Sequence, residues 1–385
     1  MTINCSQTET SYDLYEFIPD CALELQKPTL LYALEPIGIG TPYVESLASY
    51  LARLAAAHML SVSTLLRKVI VPYLSARRHN LNGTIGQQKI IRDMNGMGKE
   101  AEALVETLEQ LTGVSNLEHL TMLPYSQMLS PKKLLLESSA WCPYCLDEQR
   151  ASGEPVYYPL LWGLSYAPKC AVHGTSLRSS CHKCGTHSYV IAAYTVNGYC
   201  SKCKEWLGYG PADDTETINI TSSHFFFRVF EWHNKYGRTH NEPTFPSMLN
   251  YLMCNKLRKP TAYTLGRLLH LPEVIVHCLI SKEILPAVKL VFWISRVFEM
   301  DPVDILTVSG AEMERRDMEA IANCDNSVLN PDDIDWPRLH HLLKDVACGK
   351  ASAMRVADIA RVYRSSLADI VTRYPELCDK ISARL

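Results

Sequence analysis

A mainly α-helical, multi-domain chain is what this sequence predicts, interrupted near its middle by a small module of knuckles and short β segments. Three observations predict it. Apolar residues recur three and four apart through residues 43–121 and again after residue 223, the period of a helix with one buried face. Between these stretches, residues 124–210 lose the period and are rich in Tyr, Pro, Gly and Ser. The length, 385 residues, exceeds what one ordinary core organises. With 47% hydrophobic and 21% charged residues the chain is globular.

Residues 1–41 carry Pro19, Pro28, Pro36, Gly38 and Gly40 and read as an extended arm. From Tyr43 the apolar positions Val44, Leu47, Ala48, Leu51, Leu54 and Ala55 define an amphipathic helix. It breaks at His58–Ser61. Ser61 caps a second helix from Val62 to Val71, which Pro72 is expected to end or kink. Two helices with so tight a break have helix-turn-helix form. Helix resumes from Gly98 to Leu111 and from Ser115 to Thr121, closing an N-terminal helix-turn-helix domain over 42–123. Gly96-Met97-Gly98-Lys99 resembles a phosphate loop but lacks its spacing, so it is read as a helix start.

The middle module, 124–210, contains four two-residue-spaced pairs: Cys142/Cys145, Cys170/His173, Cys181/Cys184 and Cys200/Cys203. That spacing lets one tight turn aim two donors at a point about 2.3 Å from each sulfur, as zinc requires. Gly174 and Gly185 follow the second donor of two pairs and allow the turn. Four pairs make two closed tetrahedral sites for two structural zinc ions, one with three cysteines and a histidine, the other with four cysteines. A closed site leaves no position for water or substrate, so it builds structure. Sequential pairing closes the shortest loops; a cross-braced arrangement is the alternative. Trp141, Tyr157, Tyr158 and Trp162 are expected to cover the first site. The remaining cysteines (Cys5, Cys21, Cys254, Cys278, Cys324, Cys348, Cys378) share no spacing and read as buried small apolar residues. The N-terminus shows no export signal, so a cytoplasmic setting and no membrane partner are expected.

Helical period returns in 211–330. Phe225, Phe226, Val229, Phe230 and His233 form one stripe. Residues 263–280 read as two helices around His270-Leu271-Pro272, with Val274, Ile275, Cys278 and Leu279 packed inward. A turn at 281–286 then leads into an expected short strand. That order of elements has the form of a winged helix-turn-helix. Beyond an acidic connector, residues 331–385 form a C-terminal domain. Within it Val356–Val371 matches repressor-type helix-turn-helix spacing, with Ala357 at the helix crossing, Arg361 at a left-handed turn, and Val362 and Leu367 as apolar pins. Tyr363, Arg364, Ser365 and Ser366 would open a recognition helix in a major groove. Arg373, and His277, Lys282 and Lys289 around the middle unit, complete the candidate DNA contacts.

The formal net charge is −3, which excludes simple coating of nucleic acid, but the charge is uneven. Residues 61–99 carry Arg67, Lys68, Arg77, Arg78, Lys89, Arg92 and Lys99 against Asp93 alone. Residues 301–335 are strongly acidic. Basic faces beside an acidic connector fit a protein that meets double-stranded DNA through part of its surface. His340 and His341 are adjacent, so on a helix they diverge and do not share a metal. No nucleophile elbow, paired carboxylates or His-Glu-x-x-His segment marks an active site, and no enzyme activity is expected.

The helix beginning Glu45-Ser46-Leu47-Ala48-Ser49, followed by Cys-x-x-Cys, Cys-x-x-His and two further Cys-x-x-Cys units and then helix-turn-helix segments, resembles the TniQ/TnsD family over roughly 42–204. The resemblance implies a non-enzymatic target-site selector of a bacterial transposon. Such a protein binds attachment-site DNA and recruits an AAA+ ATPase regulator (TnsC) that directs the transposase. It also leaves open a TniQ-type adaptor that links a CRISPR Cascade effector and its guide RNA to the ATPase, and a homodimer. A zinc-containing helix-turn-helix transcriptional repressor is the reading of a different class.

Overall fold

The computed structural model describes residues 29–77, 91–208, 221–237, 244–257, 259–323, 336–348, 355–362 and 367–384. The chain divides into two compact units, Met1–Ser309 and Gly310–Leu385. It is mostly helical, and its β content among the described residues is confined to isolated bridges. Among the described residues no single helix is long and apolar enough to cross a membrane.

The first unit opens with α1 (Leu47–Ala57), capped by Ser46, whose hydroxyl accepts from Ser49 N–H. The expected start at Tyr43 moves inward by four residues because Ser46 stands in extended backbone. Met59 takes a left-handed φ of 55° at the break, and Ser61 caps the next helix as expected. The two helices meet at 99°. Helix α2 runs as Val62–Thr64, a π-helical stretch Leu65–Ile70, and Val71–Arg77. Pro72 therefore does not end it. The Val71 N–H reaches back five residues to Leu66 O, and such a wide turn relocates the carbonyls a proline ring would meet. Helix α3 (Lys99–Thr112) starts at Gly98 and ends at left-handed Gly113. The stretch after it is a single 3-10 turn, Leu117–Leu120, rather than the expected longer helix. Leu47, Leu51, Leu54, Leu65, Ile70, Leu104 and Leu108 are fully or almost fully buried and make the core of this part.

The middle stretch adds α4 (Pro143–Ala151) and a 3-10 turn, Leu160–Gly163. After it, α5 (Thr221–Tyr236) buries Phe225, Phe226, Val229 and Phe230, the stripe the sequence marks. Phe230 stacks on Tyr125 with ring centroids 4.8 Å apart. Helix α6 is Thr244–Lys256; α7 (Ala262–Leu269) and α8 (Glu273–Ile280) follow. The turn between α7 and α8 depends on His270 at φ 54° and on Gly266, where a Cβ would lie 2.7 Å from Leu271 O. Pro272 is the N-cap of α8.

Two expectations fail here. Val276 and Leu279 are the buried residues of α8, while Val274 is 68% exposed. No strand follows: residues 281–287 turn directly into α9 (Val288–Phe298), which buries Val288, Val291 and Ile294 at helical spacing. The wing is therefore absent from this unit. Helix α10 (Pro302–Thr307) is capped by Asp301.

The second unit begins with α11 (Gly310–Asn323) and continues with α12 (Trp336–Cys348), α13 (Val356–Val362), α14 (Leu367–Arg373) and α15 (Pro375–Arg384). Leu339, Leu343, Val346, Ile359, Ala360, Ile370 and Ile381 form its core. Arg361 lies inside α13, so no left-handed turn falls on it. Leu367 is 45% exposed; the inward pin of α14 is Ile370. Of the leftover cysteines, Cys378 is buried, but Cys254 and Cys348 are exposed, against expectation, at the ends of α6 and α12. Cys5, Cys21 and Cys324 lie outside the described residues.

Candidate metal centres

The eight donors come together as two sequential foursomes, Cys142, Cys145, Cys170, His173 and Cys181, Cys184, Cys200, Cys203. Within each, all donor atoms lie within 4.8 Å of one another, so the cross-braced alternative is overturned. In each foursome two donors are buried and two are half-buried.

Three of the four pairs are built as the same turn. Cys170, Cys181 and Cys200 N–H groups donate to Thr175, Thr186 and Glu205 carbonyls at 2.8, 3.0 and 2.8 Å. The N–H four residues past each of these cysteines, on Gly174, Gly185 and Lys204, returns to the cysteine carbonyl. That residue must be left-handed, and φ is 66°, 65° and 61°. Glycine adopts this freely; Lys204 bears a cost of about 1–2 kcal/mol. Its ammonium donates to Tyr194 O and Ser201 O, both at 3.1 Å, and sits 5.6 Å from the Tyr194 ring centre.

The fourth pair differs. Cys142 is the N-cap of α4, Pro143 opens the helix, and Cys145 sits in its first turn. Both sulfurs thus lie at the positive end of a helix, which favours thiolate.

Donor spacing fits a tetrahedral ion. Cys145 Sγ is 3.5 Å from Cys170 Sγ, and His173 Nδ1 is 3.6, 3.3 and 3.7 Å from Cys142, Cys145 and Cys170. In the second foursome, Cys181–Cys203 and Cys184–Cys200 are both 3.7 Å. An ion with metal–sulfur bonds of about 2.3 Å needs tetrahedral edges of about 3.8 Å. A disulfide needs sulfurs about 2.05 Å apart, and all seven cysteines are free. The clusters could each hold a metal ion. Hydrogen bonds from Cys145 and Cys170 pull the Cys142 thiol down to about 2. Cys145, held protonated as the donor to Cys142, is driven upward. Thr186 leads in lowering Cys184 to about 6. Four thiolates can coexist here only beside a cation.

One apolar cluster, including Trp141, Leu146, Trp162, Trp206 and Leu207, covers both foursomes. Trp141 and Trp162 were expected there; Tyr158 packs at its edge. Trp206 was not foreseen. Its indole donates to Asp147 Oδ1 at 2.6 Å, and the Arg150 guanidinium lies 4.8 Å from its ring centre. Helix α4 thus touches both centres, carrying Cys145 to one and holding the tryptophan beside the other.

The start of α1 is bonded to this module. Ser49 Oγ donates to Glu45 Oε1 at 2.8 Å and accepts from Tyr158 N–H at 3.0 Å and Asn197 Nδ2 at 2.8 Å. Asn197 also donates to Val156 O, and Ser46 N–H donates to Tyr158 O. Asn95 Oδ1 caps Ala48 N–H at 3.0 Å. Glu45 is fully buried and pairs with Arg53 at 2.5 Å. Burial raises the Glu45 carboxyl above its ordinary value, with Arg53 pulling the other way. The Glu45–Ser49 segment is therefore a polar clamp between the α1–α2 helix pair and the module that holds the two foursomes. Sequence spacing could not supply its partners, which lie up to 148 residues away.

The candidate DNA contacts fall in both units. Tyr363, Arg364, Ser365 and Ser366 lie outside the described residues. Arg373 is exposed, its guanidinium 4.5 Å from the Trp336 ring centre. Helix α14 also presents Leu367 and Val371, four apart, to solvent. In the first unit His277 is exposed on α8 within 3.7 Å of Glu273, Lys282 is exposed at φ 67°, and Lys289 is exposed in the first turn of α9.

No curated protein matches the chain. Residues 36–177 match the TniQ family model, a span that stops short of the second foursome and of residue 204, where the sequence resemblance was drawn. It holds the α1–α2 pair, α3, the Glu45–Ser49 clamp and the complete first foursome. Residues 36–177 thus carry a TniQ domain within the 385-residue chain.

Proposed function

We propose that this protein is a non-catalytic target-site selector of a bacterial transposon: it marks the insertion site on double-stranded DNA and recruits an AAA+ ATPase regulator that admits the transposase. The observation that carries the reading is the TniQ match, which coincides with a helix pair, α1–α2, hydrogen-bonded through Ser49 to Tyr158 of the module that holds three cysteines and a histidine. In this reading each foursome holds one structural zinc ion. The thiolate-rich donor sets favour zinc over hard cations, and their four-donor closure leaves no position for a substrate. In this reading the ions tie the turns of this stretch into one rigid hub. The candidate reader surfaces are α14 with the residues before it, and the α8–α9 corner around His277, Lys282 and Lys289.

Two observations favour the RNA-guided alternative. The middle unit has no wing, and α14 exposes two aliphatic side chains where a base reader displays hydrogen-bonding groups. An adaptor that takes its specificity from a Cascade effector and guide RNA needs little base reading. Genome-wide footprinting of the tagged protein in cells carrying the transposon decides between them. A fixed attachment site occupied without any CRISPR effector supports direct selection. Occupancy that moves with the guide supports the adaptor. No enrichment at insertion sites in either case refutes the proposal.

A further inference from the structure

Helix α4 offers the first centre more than its cysteines. Cys145 occupies its first turn, and Glu148, three residues on, projects from the same face. The Glu148 carboxylate lies 3.0 Å from His173 Nε2. The other ring nitrogen, Nδ1, faces three sulfurs at 3.3–3.7 Å. An imidazole that turns its Nδ1 lone pair toward a metal carries its proton on Nε2, and that proton needs an acceptor. We propose that Glu148 is the outer-shell partner of this first centre: it accepts the Nε2–H of His173, fixes the ring's orientation and tautomer, and slows loss of the ion. This rests on the reading of the foursome as a zinc site.

Two features set the role apart from an ordinary surface ion pair. Acceptor and sulfur ligand belong to one rigid helical turn, so the carboxylate is placed by the same element that places Cys145. The His173 side chain is only 20% exposed, which leaves its Nε2–H few alternative partners in water. The Glu148 side chain itself is 67% exposed, so the effect belongs at the lower end of the range for outer-shell partners. The second centre has four sulfurs and no imidazole, and serves as an internal control in the same molecule.

The test uses the full chain loaded with zinc, a chelator in excess, and timed alkylation of released thiols mapped by peptide mass spectrometry. Glu148→Ala is expected to speed exposure of Cys142, Cys145 and Cys170 about tenfold, within the range of roughly 10–100-fold known for such partners. Cys181, Cys184, Cys200 and Cys203 should keep the wild-type rate. Glu148→Gln, which retains an acceptor without charge, should fall between. First-centre release within about twofold of wild type in both variants overturns the proposal, being well below the expected range. So does equal acceleration at both centres, which would report general loosening. Wild-type protein that carries no zinc would instead sink the metal reading itself.

Discussion

Replacing Arg53 by Met tests the clamp beneath α1 most directly. Glu45 is fully buried, and Arg53 is its charged partner at 2.5 Å. Met keeps much of the packing of the Arg stem and removes the charge. Breaking one side of a buried pair costs about 3–5 kcal/mol, because the other charge is left uncompensated. Protonation sets a ceiling. A carboxyl with an unfolded pKa of about 4.3 can be carried neutral at pH 7 for about 3.7 kcal/mol, at roughly 1.36 kcal/mol per unit. The expected loss is therefore at most about 3.7 kcal/mol at pH 7, less what burial of Glu45 already costs the wild type. The sign of its pH dependence follows from linkage. Glu45 is already raised by burial in the wild type. A raised acid contributes stability below its unfolded pKa and loses it as pH rises through the folded pKa. In the Met variant that folded pKa climbs further, so the penalty should grow by about 1 kcal/mol per unit between about pH 6 and 8, where the zinc thiolates stay bound. Urea unfolding of the zinc-loaded protein followed by tryptophan fluorescence measures it. Adding Glu45→Gln to the Met variant should recover much of the loss and flatten the slope. A single-variant loss under about 1 kcal/mol, or one independent of pH, refutes the argument that this pair is a desolvated structural element.

Four further outcomes are open to direct measurement. Cys142→Ser and Cys200→Ser should each lower bound zinc from two ions to one by native mass spectrometry, and two retained ions would place the metals elsewhere. Asn197→Ala removes a donor shared by Ser49 and Val156 and should destabilise by about 1–3 kcal/mol in the same urea assay. Gly266→Ala forces a Cβ to 2.7 Å from Leu271 O and should lower stability by about 1–3 kcal/mol, with thermal melting as the check. Arg364→Ala should weaken attachment-site binding by about 1–3 kcal/mol in a fluorescence titration at fixed salt if the last unit reads bases; unchanged binding points to the guided mode.

The metal donors, the helix before them and the cap at Ser61 were legible because each depends on neighbours in sequence. A knuckle is set by two residues between donors, and a helix face by the helical period of about 3.6 residues. Pro72 shows the limit of such a rule: locally it ends or kinks a helix, and the folded chain carries the helix past the ring with a π turn. The missing strand after residue 281 and the exposed Val274 and Leu367 are also failures of local pattern. Which apolar residue turns inward is chosen by the neighbouring helix, and that helix is not encoded in the window being read.

The sequence alone determined the donor sets of both centres, because thiolate and imidazole groups at fixed short spacing can converge on one point from a single tight turn. Tertiary structure decided how those centres are joined to the rest. The buried carboxylate of Glu45 finds Arg53 only two turns along the chain, but Ser49 finds Tyr158 and Asn197 across more than a hundred residues. The partners of a buried polar group are fixed by desolvation, which forces every donor and acceptor to be satisfied wherever the chain has brought it. No spacing rule anticipates that, and so the clamp at Glu45–Ser49 and the carboxylate at Glu148 emerged only from the fold.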